Sequence, residues 1–231
     1  MMNIAILGYG KMGHLVEEVA KNQRINVPII LDAENEGGRE ITAEKLKDID
    51  VCIDFSMPTA VIDNVKACAA IGKNLVIGTT GWYQHLDQIR SIVQSSAIGV
   101  VYGANFSIGM NLFFKIVEEA ARLVSKFETY DPFIHEAHHK RKLDAPSGTA
   151  IELERLMKSE YKSLPVSSTR AGYIPGTHII GFDSEADTIT LTHTARSRQG
   201  FAEGAVMAAK WINGRKGLYE FREIFGSALV V

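Results

Sequence analysis

The sequence predicts an α/β protein in which a parallel, doubly wound sheet is followed by a smaller α+β domain. Three observations predict this fold. Short apolar runs alternate with helical periodicity over the first hundred residues, a glycine-rich turn directly follows the first run, and the alternation changes to mixed strands after residue 129. Repeated βα units of this length form parallel sheets with helices on both faces.

The first βα unit ends its strand in a glycine-rich turn. An apolar, β-branched run at 3–7 leads into the segment GYGKMG at 8–13, which opens a stretch of helical periodicity. A second apolar run at 27–31 then ends at Asp32. This succession of strand, G-x-G-x-x-G, helix, strand and acidic residue is typical of a Rossmann-like dinucleotide-binding domain.

Each glycine of this turn has a physical role in binding a dinucleotide. Gly8 permits the tight turn, Gly10 lets the backbone approach a pyrophosphate, and Gly13 lets the helix pack close to the strand. Free N–H groups at the helix N-terminus attract the phosphates. Asp32 follows Gly13 by 19 residues, where a carboxylate accepts hydrogen bonds from the adenosine ribose hydroxyls.

Asp32 also bears on the choice of nicotinamide cofactor. A carboxylate repels a ribose 2′-phosphate, and the next residue is Ala33 rather than an arginine. Lys11, in the glycine turn, could still reach such a phosphate. We therefore predict that NADH is preferred and that NADPH is tolerated.

Three further apolar runs continue the predicted parallel sheet. They lie at 51–55, 74–77 and 98–102, and segments with helical spacing at 59–70 and 87–94 separate them. Since ligands of such sheets bind at the carboxyl ends of the strands, the loops that follow these runs are candidate parts of the site.

Two of these strand-end loops consist of small residues. GTTG at 78–81 follows the fourth run and GANF at 103–106 follows the fifth. Such loops let a flat ring approach the backbone, although each is also an ordinary turn sequence. The complete set of predicted cofactor-binding residues is Gly8, Tyr9, Gly10, Lys11, Met12, Gly13, Asp32, Gly78, Thr79, Thr80, Gly103, Ala104, Asn105 and Phe106.

The second half of the chain mixes helices with strands of another kind. Amphipathic helices are predicted at 109–124 and 147–161, and TITLT at 188–192 alternates polar and apolar residues as a half-exposed antiparallel strand does. We predict a dinucleotide-binding domain at 1–106, to which 207–231 returns, and a substrate-binding and oligomerisation domain at 107–206.

Composition excludes several classes of partner. The chain has 231 residues, 46% of them apolar, and a formal net charge of −2, so neither nucleic acid nor a membrane is an expected partner. The spacing of Cys52 and Cys68 fits no metal or redox motif, and both lie in apolar segments, which predicts buried, reduced thiols. With no signal-peptide pattern and no long apolar run, we expect a cytoplasmic protein.

The segment HEAHHKRKLDAPSGTA at 135–150 carries the densest chemistry. Its first five residues match the H-E-x-x-H pattern of zinc hydrolases, which requires a helix, and Asp131-Pro132 could start one. The three cations at 140–142 and the helix-limiting Pro146 weigh against zinc. Hydride transfer on a dinucleotide-binding fold needs no metal, and we predict none.

An acid–base use of these residues fits the predicted fold better. A group that accepts hydride also needs a proton on a neighbouring atom, and histidine is suited to donate it near neutral pH. His138, His139 and Lys142 provide proton donors and cations together, and Ser147-Gly148-Thr149 opens a helix whose N–H groups suit a carboxylate. This predicts a small, acidic, unsaturated substrate.

The segments GYGKMG, GTTG, ANFSIGMN, EAHHKRKLDAPSGTA and THTARSRQGFAEGA together resemble the bacterial dihydrodipicolinate reductases, also called 4-hydroxy-tetrahydrodipicolinate reductases. The resemblance extends over nearly the whole chain. It implies NAD(P)H-dependent reduction of a cyclic dicarboxylate to tetrahydrodipicolinate, in the cytoplasmic biosynthesis of lysine and diaminopimelate. It also implies a homotetramer assembled through the second domain.

The resemblance also implies a role for each site residue of the second domain. His138 is expected to be the catalytic proton donor and Lys142 the second catalytic residue, which pairs with a substrate carboxylate or assists protonation. His139 is expected to contact the substrate. Ser147, Gly148 and Thr149 are expected to hold a carboxylate. His135 falls outside the family motif, and Arg170 and Arg198 lie in matching segments without an assigned role.

The sequence also departs from the family pattern. The stretch 160–169 looks trimmed, which bears on the tetramer. Two other functions stay open: an NAD(P)H-dependent reductase of a different small acid, and a sensor that binds a dinucleotide without turnover. The first would not require the HH…K…SGT arrangement, and the second would bind cofactor tightly without oxidising it.

Overall fold

The computed structural model describes residues 1–32, 38 and 40–227, which form two compact units. The first unit comprises the described residues of 1–108 and 198–231, and the second comprises 109–197. The chain re-enters the first unit at Arg198, nine residues before the predicted return at 207, because the whole helix Gln199–Ile212 packs there. The end of the predicted returning segment, 228–231, lies outside the described residues.

The described chain contains strands and helices in the alternating order that the sequence predicts for its first half. The strands are β1 (Asn3–Leu7), β2 (Asn26–Leu31), β3 (Val51–Asp54), β4 (Asn74–Ile77), β5 (Gly99–Tyr102), β6 (Asp131–His138), β7 (Val166–Arg170), β8 (Thr177–Asp183), β9 (Thr188–Thr194) and β10 (Gly217–Glu220). The helices are α1 (Lys11–Asn22), α2 (Val61–Ala70), α3 (Leu86–Gln94), α4 (Ile108–Val124), α5 (Gly148–Met157), α6 (Gln199–Ile212) and α7 (Phe221–Ser227).

The first unit is built on a parallel sheet of strand order β10-β5-β4-β3-β1-β2. In the four inner strands, alternate residues face opposite sides of the sheet, and most residues on both sides are buried. Ile6 and Ile53 contact the core under α1 and α6, whereas Leu7 and Cys52 belong to the core under α2 and α3. The predicted Rossmann-like fold class is therefore confirmed. Cys52 and Cys68 are free and buried, as predicted.

The second unit contains a mixed sheet of order β7-β6-β8-β9, covered on one face by α4 and α5. The β6 strand pairs parallel with β7 and antiparallel with β8. Its even-numbered residues are buried and its odd-numbered residues are half-buried or exposed, which is the period of a strand with one covered face. Ile134 belongs to the core of this unit. Glu136 and His138 follow it on the same face.

Three strands were not predicted from the sequence, and β6, which contains most of the H-E-x-x-H segment, is the first of them. VSSTR at 166–170 is mostly polar and forms β7, within the region that looks trimmed, and GLYE at 217–220 forms β10 at the edge of the parallel sheet. The predicted helix at 147–161 ends at Met157. Across the part of the chain that is described, no helix has both the length and the apolar character required to cross a lipid bilayer.

Helix α6 packs unusually close to the loop after β5. A Cβ atom added to Gly204 would lie 1.8 Å from the carbonyl oxygen of Phe106. The Phe106 ring is buried, with its centroid 4.5 Å from that of Phe221. Only a residue without a side chain allows this contact, so Gly204 determines how closely α6 approaches the loop.

We predict that Gly204→Ala lowers the free energy of unfolding by about 1–3 kcal/mol, because the helix or the loop must shift to accommodate the methyl group. Gly200→Ala is the matched control on the same helix, since its added Cβ would lie 3.6 Å from the Ser107 hydroxyl. That variant should be neutral or more stable by up to about 1 kcal/mol. Urea unfolding monitored by circular dichroism measures both. Equal stability of the two variants would contradict the packing argument.

Candidate active site

The glycine turn of the first unit leaves room for a ligand beside a helix N-terminus. Gly8 has a φ of +88°, which only glycine adopts readily, and a Cβ added to Gly13 would lie 2.5 Å from the Gly8 carbonyl oxygen. Gly10 is the N-cap of α1 and has no side chain to cap the helix. No atom lies within 4 Å of a Cβ added to Gly10, so the first N–H groups of the helix can be approached from outside.

Asp32, at the end of β2, contacts this turn directly. Its carboxylate accepts a 2.6 Å hydrogen bond from the backbone N–H of Tyr9. The Tyr9 hydroxyl donates to Glu17 on α1, and this interaction raises the pKa of Tyr9. Lys11 is exposed at the start of the helix, and Met12 is half-buried beside it. Ala33, on which the predicted cofactor preference partly depends, lies outside the described residues.

The loop at 78–80 is held by a buried carboxylate that the sequence prediction missed. Asp54, at the end of β3, accepts hydrogen bonds from the Ser56 N–H (2.8 Å), the Thr79 hydroxyl (3.0 Å) and the Asn64 side chain (2.9 Å). The Thr79 side chain is thereby buried, while Thr80 is exposed. The sequence signal was an acidic residue within the otherwise apolar run at 51–55.

The loop at 103–106 shows the same division between buried and exposed residues. Gly103 and Phe106 are buried, Ala104 is exposed, and the Asn105 side chain accepts a 2.9 Å hydrogen bond from the Ser107 N–H. Because β1, β4 and β5 are parallel, the loops that follow them lie at the same end of the sheet, where the carboxyl ends of the strands meet. The Phe106 ring is buried and packs in the core, so only the backbone of this residue is available at that end of the sheet.

Glu136 is the buried charge of the second unit. The guanidinium of Arg170 donates to both of its carboxylate oxygens, at 2.6 and 2.9 Å, and the Ser147 N–H donates at 3.2 Å. The His138 Nδ1 bonds the same carboxylate. Burial alone would raise the pKa of Glu136, but the hydrogen bonds from Arg170, Ser168 and His138 lower it to about 2. Glu136 is therefore ionised at neutral pH.

His138 is held by contacts on several sides. Burial lowers its pKa, and the Glu136 carboxylate opposes that effect. A Cβ added to Gly176 would lie 3.1 Å from its Nε2 atom, so the ring borders the Gly176 backbone. The His178 ring packs edge-on at a centroid distance of 5.2 Å. These contacts restrict rotation of the imidazole.

Lys142 and His139 lie in the turn that follows β6. The Lys142 ammonium pairs with the Asp144 carboxylate at 2.9 Å, which lowers the pKa of Asp144. The Lys142 N–H donates to the His139 carbonyl at 3.0 Å, and His139 Nδ1 is buried with no hydrogen-bond partner among the described residues. Both predicted residues thus belong to one turn beside His138.

The residues 147–149 start α5, but they differ in what they offer a ligand. The Ser147 side chain is buried, and its oxygen accepts the Ala150 N–H and contacts His178 Nε2, each at 3.2 Å. Gly148 is exposed, and no atom lies within 4 Å of a Cβ added there. Thr149 is half-buried. Ser147 therefore shapes the helix start, and the open positions are Gly148 and Thr149.

The H-E-x-x-H segment does not form the helix that a zinc site of that type requires. Residues 131–138 form β6, and His135 lies on the face opposite His138, where its Nδ1 bonds the Ser167 hydroxyl at 2.9 Å. Among the described residues, no three His, Cys, Asp or Glu side chains are grouped to hold a metal ion.

Comparison with known proteins identifies the family of this chain. The model described as "Dihydrodipicolinate reductase, N-terminus" matches residues 2–106, and the one described as "Dihydrodipicolinate reductase, C-terminus" matches residues 109–225. The chain belongs to the dihydrodipicolinate reductase family. The predicted family and the predicted enzyme class, a nicotinamide-dependent oxidoreductase, are confirmed.

Individual relatives agree with this family. A 4-hydroxy-tetrahydrodipicolinate reductase of Christiangramia forsetii is 37% identical, with 96% of this chain and 97% of the relative covered. A dipicolinate-bound dihydrodipicolinate reductase from Paenisporosarcina sp. TG-14 is 25% identical, with a TM-score of 0.79 and coverage of 97% and 99%. A myo-inositol dehydrogenase from Corynebacterium glutamicum, 14% identical with a TM-score of 0.59 and coverage of 94% and 90%, shares the fold alone.

His178 is a further residue of this site that the sequence prediction missed. It lies opposite Glu136 in the β6–β8 pairing and is nearly inaccessible to solvent. Burial lowers its pKa to about 4, and the neighbouring His138 acts in the same direction. Its only sequence signal was a histidine in the β-forming segment THIIGF.

We predict that His178 makes the fold sensitive to acid. Its pKa in the folded protein lies below the ordinary value, so the neutral form stabilises the fold above pH 6.5, and that stability is lost as pH falls toward 4. The loss amounts to at most about 3 kcal/mol. The drop in unfolding free energy between pH 7 and pH 4, measured with urea, should be smaller in His178→Gln. An identical drop in both proteins would contradict this assignment.

Proposed function

We propose that this chain is an NAD(P)H-dependent 4-hydroxy-tetrahydrodipicolinate reductase that forms tetrahydrodipicolinate in lysine and diaminopimelate biosynthesis. Family membership supports the activity. The observation in the molecule that supports it best is the second unit's combination of a carboxylate-bound histidine, His138, with Lys142 and the open helix start at Gly148. Reduction of a cyclic dicarboxylate requires one proton donor and two groups that bind the carboxylates, and this combination provides both.

The first unit would hold the cofactor, and its residues fit a dinucleotide. The positive φ of Gly8, the open position at Gly10 and the uncapped start of α1 suit a pyrophosphate, and Asp32 suits the adenosine ribose. When bound, the reduced nicotinamide supplies the hydride. The loops 78–80 and 103–106 would border the nicotinamide with their exposed residues, Thr80 and Ala104. The Asp32 carboxylate favours NADH over NADPH because it repels a 2′-phosphate.

Residues of the second unit would bind the substrate and move its proton. His138 donates a proton from Nε2 to the atom next to the carbon that accepts hydride. Lys142 and His139 hold one carboxylate, and the N–H groups of Gly148 and Thr149 hold the other at the positive end of α5. Lys142 would exchange its ion pair with Asp144 for the substrate carboxylate. Ser147 supports this site by capping the helix.

Assembly and location are also part of the proposal. We expect a homotetramer formed through the second unit, in the cytoplasm. The edge strand β9 is the feature that supports such an interface, because most of its residues are exposed and one edge of it pairs with no other described strand.

The activity is tested by following absorbance at 340 nm while dihydrodipicolinate synthase generates the unstable substrate. We expect synthase-dependent oxidation of NADH, with NADPH used less efficiently. His138→Gln should lower kcat by about 10² to 10⁴, the usual contribution of general acid catalysis, without loss of fold. His135→Gln is the matched control on the same strand, since that side chain lies on the opposite face. It should retain the wild-type kcat.

Each contrary outcome has a definite meaning. Protein that binds cofactor but oxidises none in the presence of substrate would contradict the activity and favour another small acid or a sensor. An unchanged kcat in His138→Gln would remove that histidine from the mechanism. A kcat/KM for NADPH that is equal to or higher than that for NADH would contradict the role given to Asp32.

A further inference from the structure

The hydrogen-bond donors around the Glu136 carboxylate determine whether the His138 nitrogen that bonds it carries a proton. Arg170 donates to both oxygens, and the Ser147 backbone N–H donates to one of them. Neither group can accept a hydrogen bond. An ionised carboxylate can only accept, so the imidazole nitrogen that bonds Glu136 must carry a proton.

We propose that Glu136, braced by Arg170, is the positioning residue of His138: it keeps a proton on Nδ1 and leaves Nε2 to exchange the proton with the substrate. The proposal rests on the proposed function, in which His138 supplies that proton. A carboxylate behind a catalytic histidine selects its tautomer and orientation and stabilises its charged form. Glu136 does not contact the reacting atoms.

The surroundings of Nε2 agree with this assignment. The hydrogen bond that the His138 ring makes to Glu136 uses Nδ1, whereas Nε2 borders the Gly176 backbone, where a Cβ would lie 3.1 Å away. A flip of the imidazole ring would exchange Nδ1 for the carbon Cδ2 and so break the hydrogen bond to the Glu136 carboxylate. Proton exchange is therefore directed to one nitrogen.

Glutamine cannot replace Glu136 in this network. Its amide carries one oxygen and one NH₂ group, whereas Arg170 donates to both positions. Either orientation of the amide turns an N–H group toward an N–H group of Arg170. Glu136→Gln therefore removes the negative charge and disturbs the acceptor that holds Nδ1, while it preserves the volume of the side chain.

The charges around His138 determine the sign of the expected pH effect. Burial, Lys142 in the following turn and Arg170 on β7 lower the pKa of His138, whereas the Glu136 carboxylate on β6 raises it. The buried His178 on β8, which packs edge-on against the ring, adds no negative charge. Without the carboxylate, burial and the cations remain. The pKa of His138 then falls, and the protonated donor is lost at a lower pH than in the wild type.

The kinetic test compares Glu136→Gln with Glu119→Gln in the synthase-coupled assay. Glu119 also accepts two hydrogen bonds from one arginine, Arg122, but it lies on the exposed face of α4. Glu136→Gln should lower kcat roughly 10- to 100-fold, with little change in KM. The alkaline limb of its kcat profile should move to lower pH. Glu136→Asp, which keeps the charge, should recover part of kcat, and Glu119→Gln should match the wild type.

A merely structural role for Glu136 would give a different pattern. The active fraction would fall, kcat would drop in proportion, and the pH profile would keep its position. That result, or wild-type kinetics in Glu136→Gln, would overturn the proposal.

Nitrogen-15 NMR of labelled histidine tests the positioning without turnover and without this variant. Above the titration range of His138, its signals in the wild type should be those of the tautomer protonated on Nδ1. The chain has seven histidines, and His138→Gln assigns the signal. A signal protonated on Nε2 would overturn the proposal whatever the assay shows. The Nδ1 signal in a protein that does not reduce the substrate would instead contradict the proposed function and leave the positioning intact.

Discussion

The buried negative charge of Glu136 is the constraint on which the arrangement of the proposed site in the second unit depends. A carboxylate removed from water is unfavourable unless donors surround it, and the donors come from three elements: Arg170 ends β7, Ser147 starts α5, and His138 ends β6. The parallel register of β6 and β7, which sets His138 opposite Arg170, makes this possible. The hydrogen bonds that stabilise the Glu136 charge thus hold the end of the sheet, the start of α5 and His138 together.

A buried carboxylate surrounded by hydrogen-bond donors also occurs in the first unit, at the end of β3. Asp54 is fully buried and gathers donors from the loop after β4 and from α2, so the loop that would border a nicotinamide is held by its backbone and by Thr79. Its exposed member, Thr80, is left available. In both units an acidic residue on a strand is buried, and the residues available to a ligand are its neighbours. The groups that hold each loop in place are thus different from those that would contact a ligand.

Sequence reasoning predicted the parts that local patterns determine and missed those that depend on distant pairing. The alternation of apolar runs predicted the parallel sheet, and the glycine turn predicted the start of α1. The local sequence at 135–139 did not exclude a helix, and the pairing with β7 and β8 shows that 131–138 is a strand. The contacts of Glu136 with Arg170 and of Ser147 with His178 could not be predicted, because the partners lie 34 and 31 positions apart in the sequence. Strand β7 is too polar to be recognised alone, and β10, with the sequence GLYE, lacks the apolar run that marks the inner strands of the same length.

A crystal structure of the chain with NADH and dipicolinate, a stable planar analogue of the substrate, tests the central claim most directly. The account predicts that one carboxylate of the analogue accepts N–H groups of Gly148 and Thr149, that the other contacts Lys142, and that Nε2 of His138 faces the ring. The bond between His138 Nδ1 and Glu136 should persist. An analogue bound away from the start of α5, or a His138 ring whose Nδ1 faces the ligand, would contradict the account.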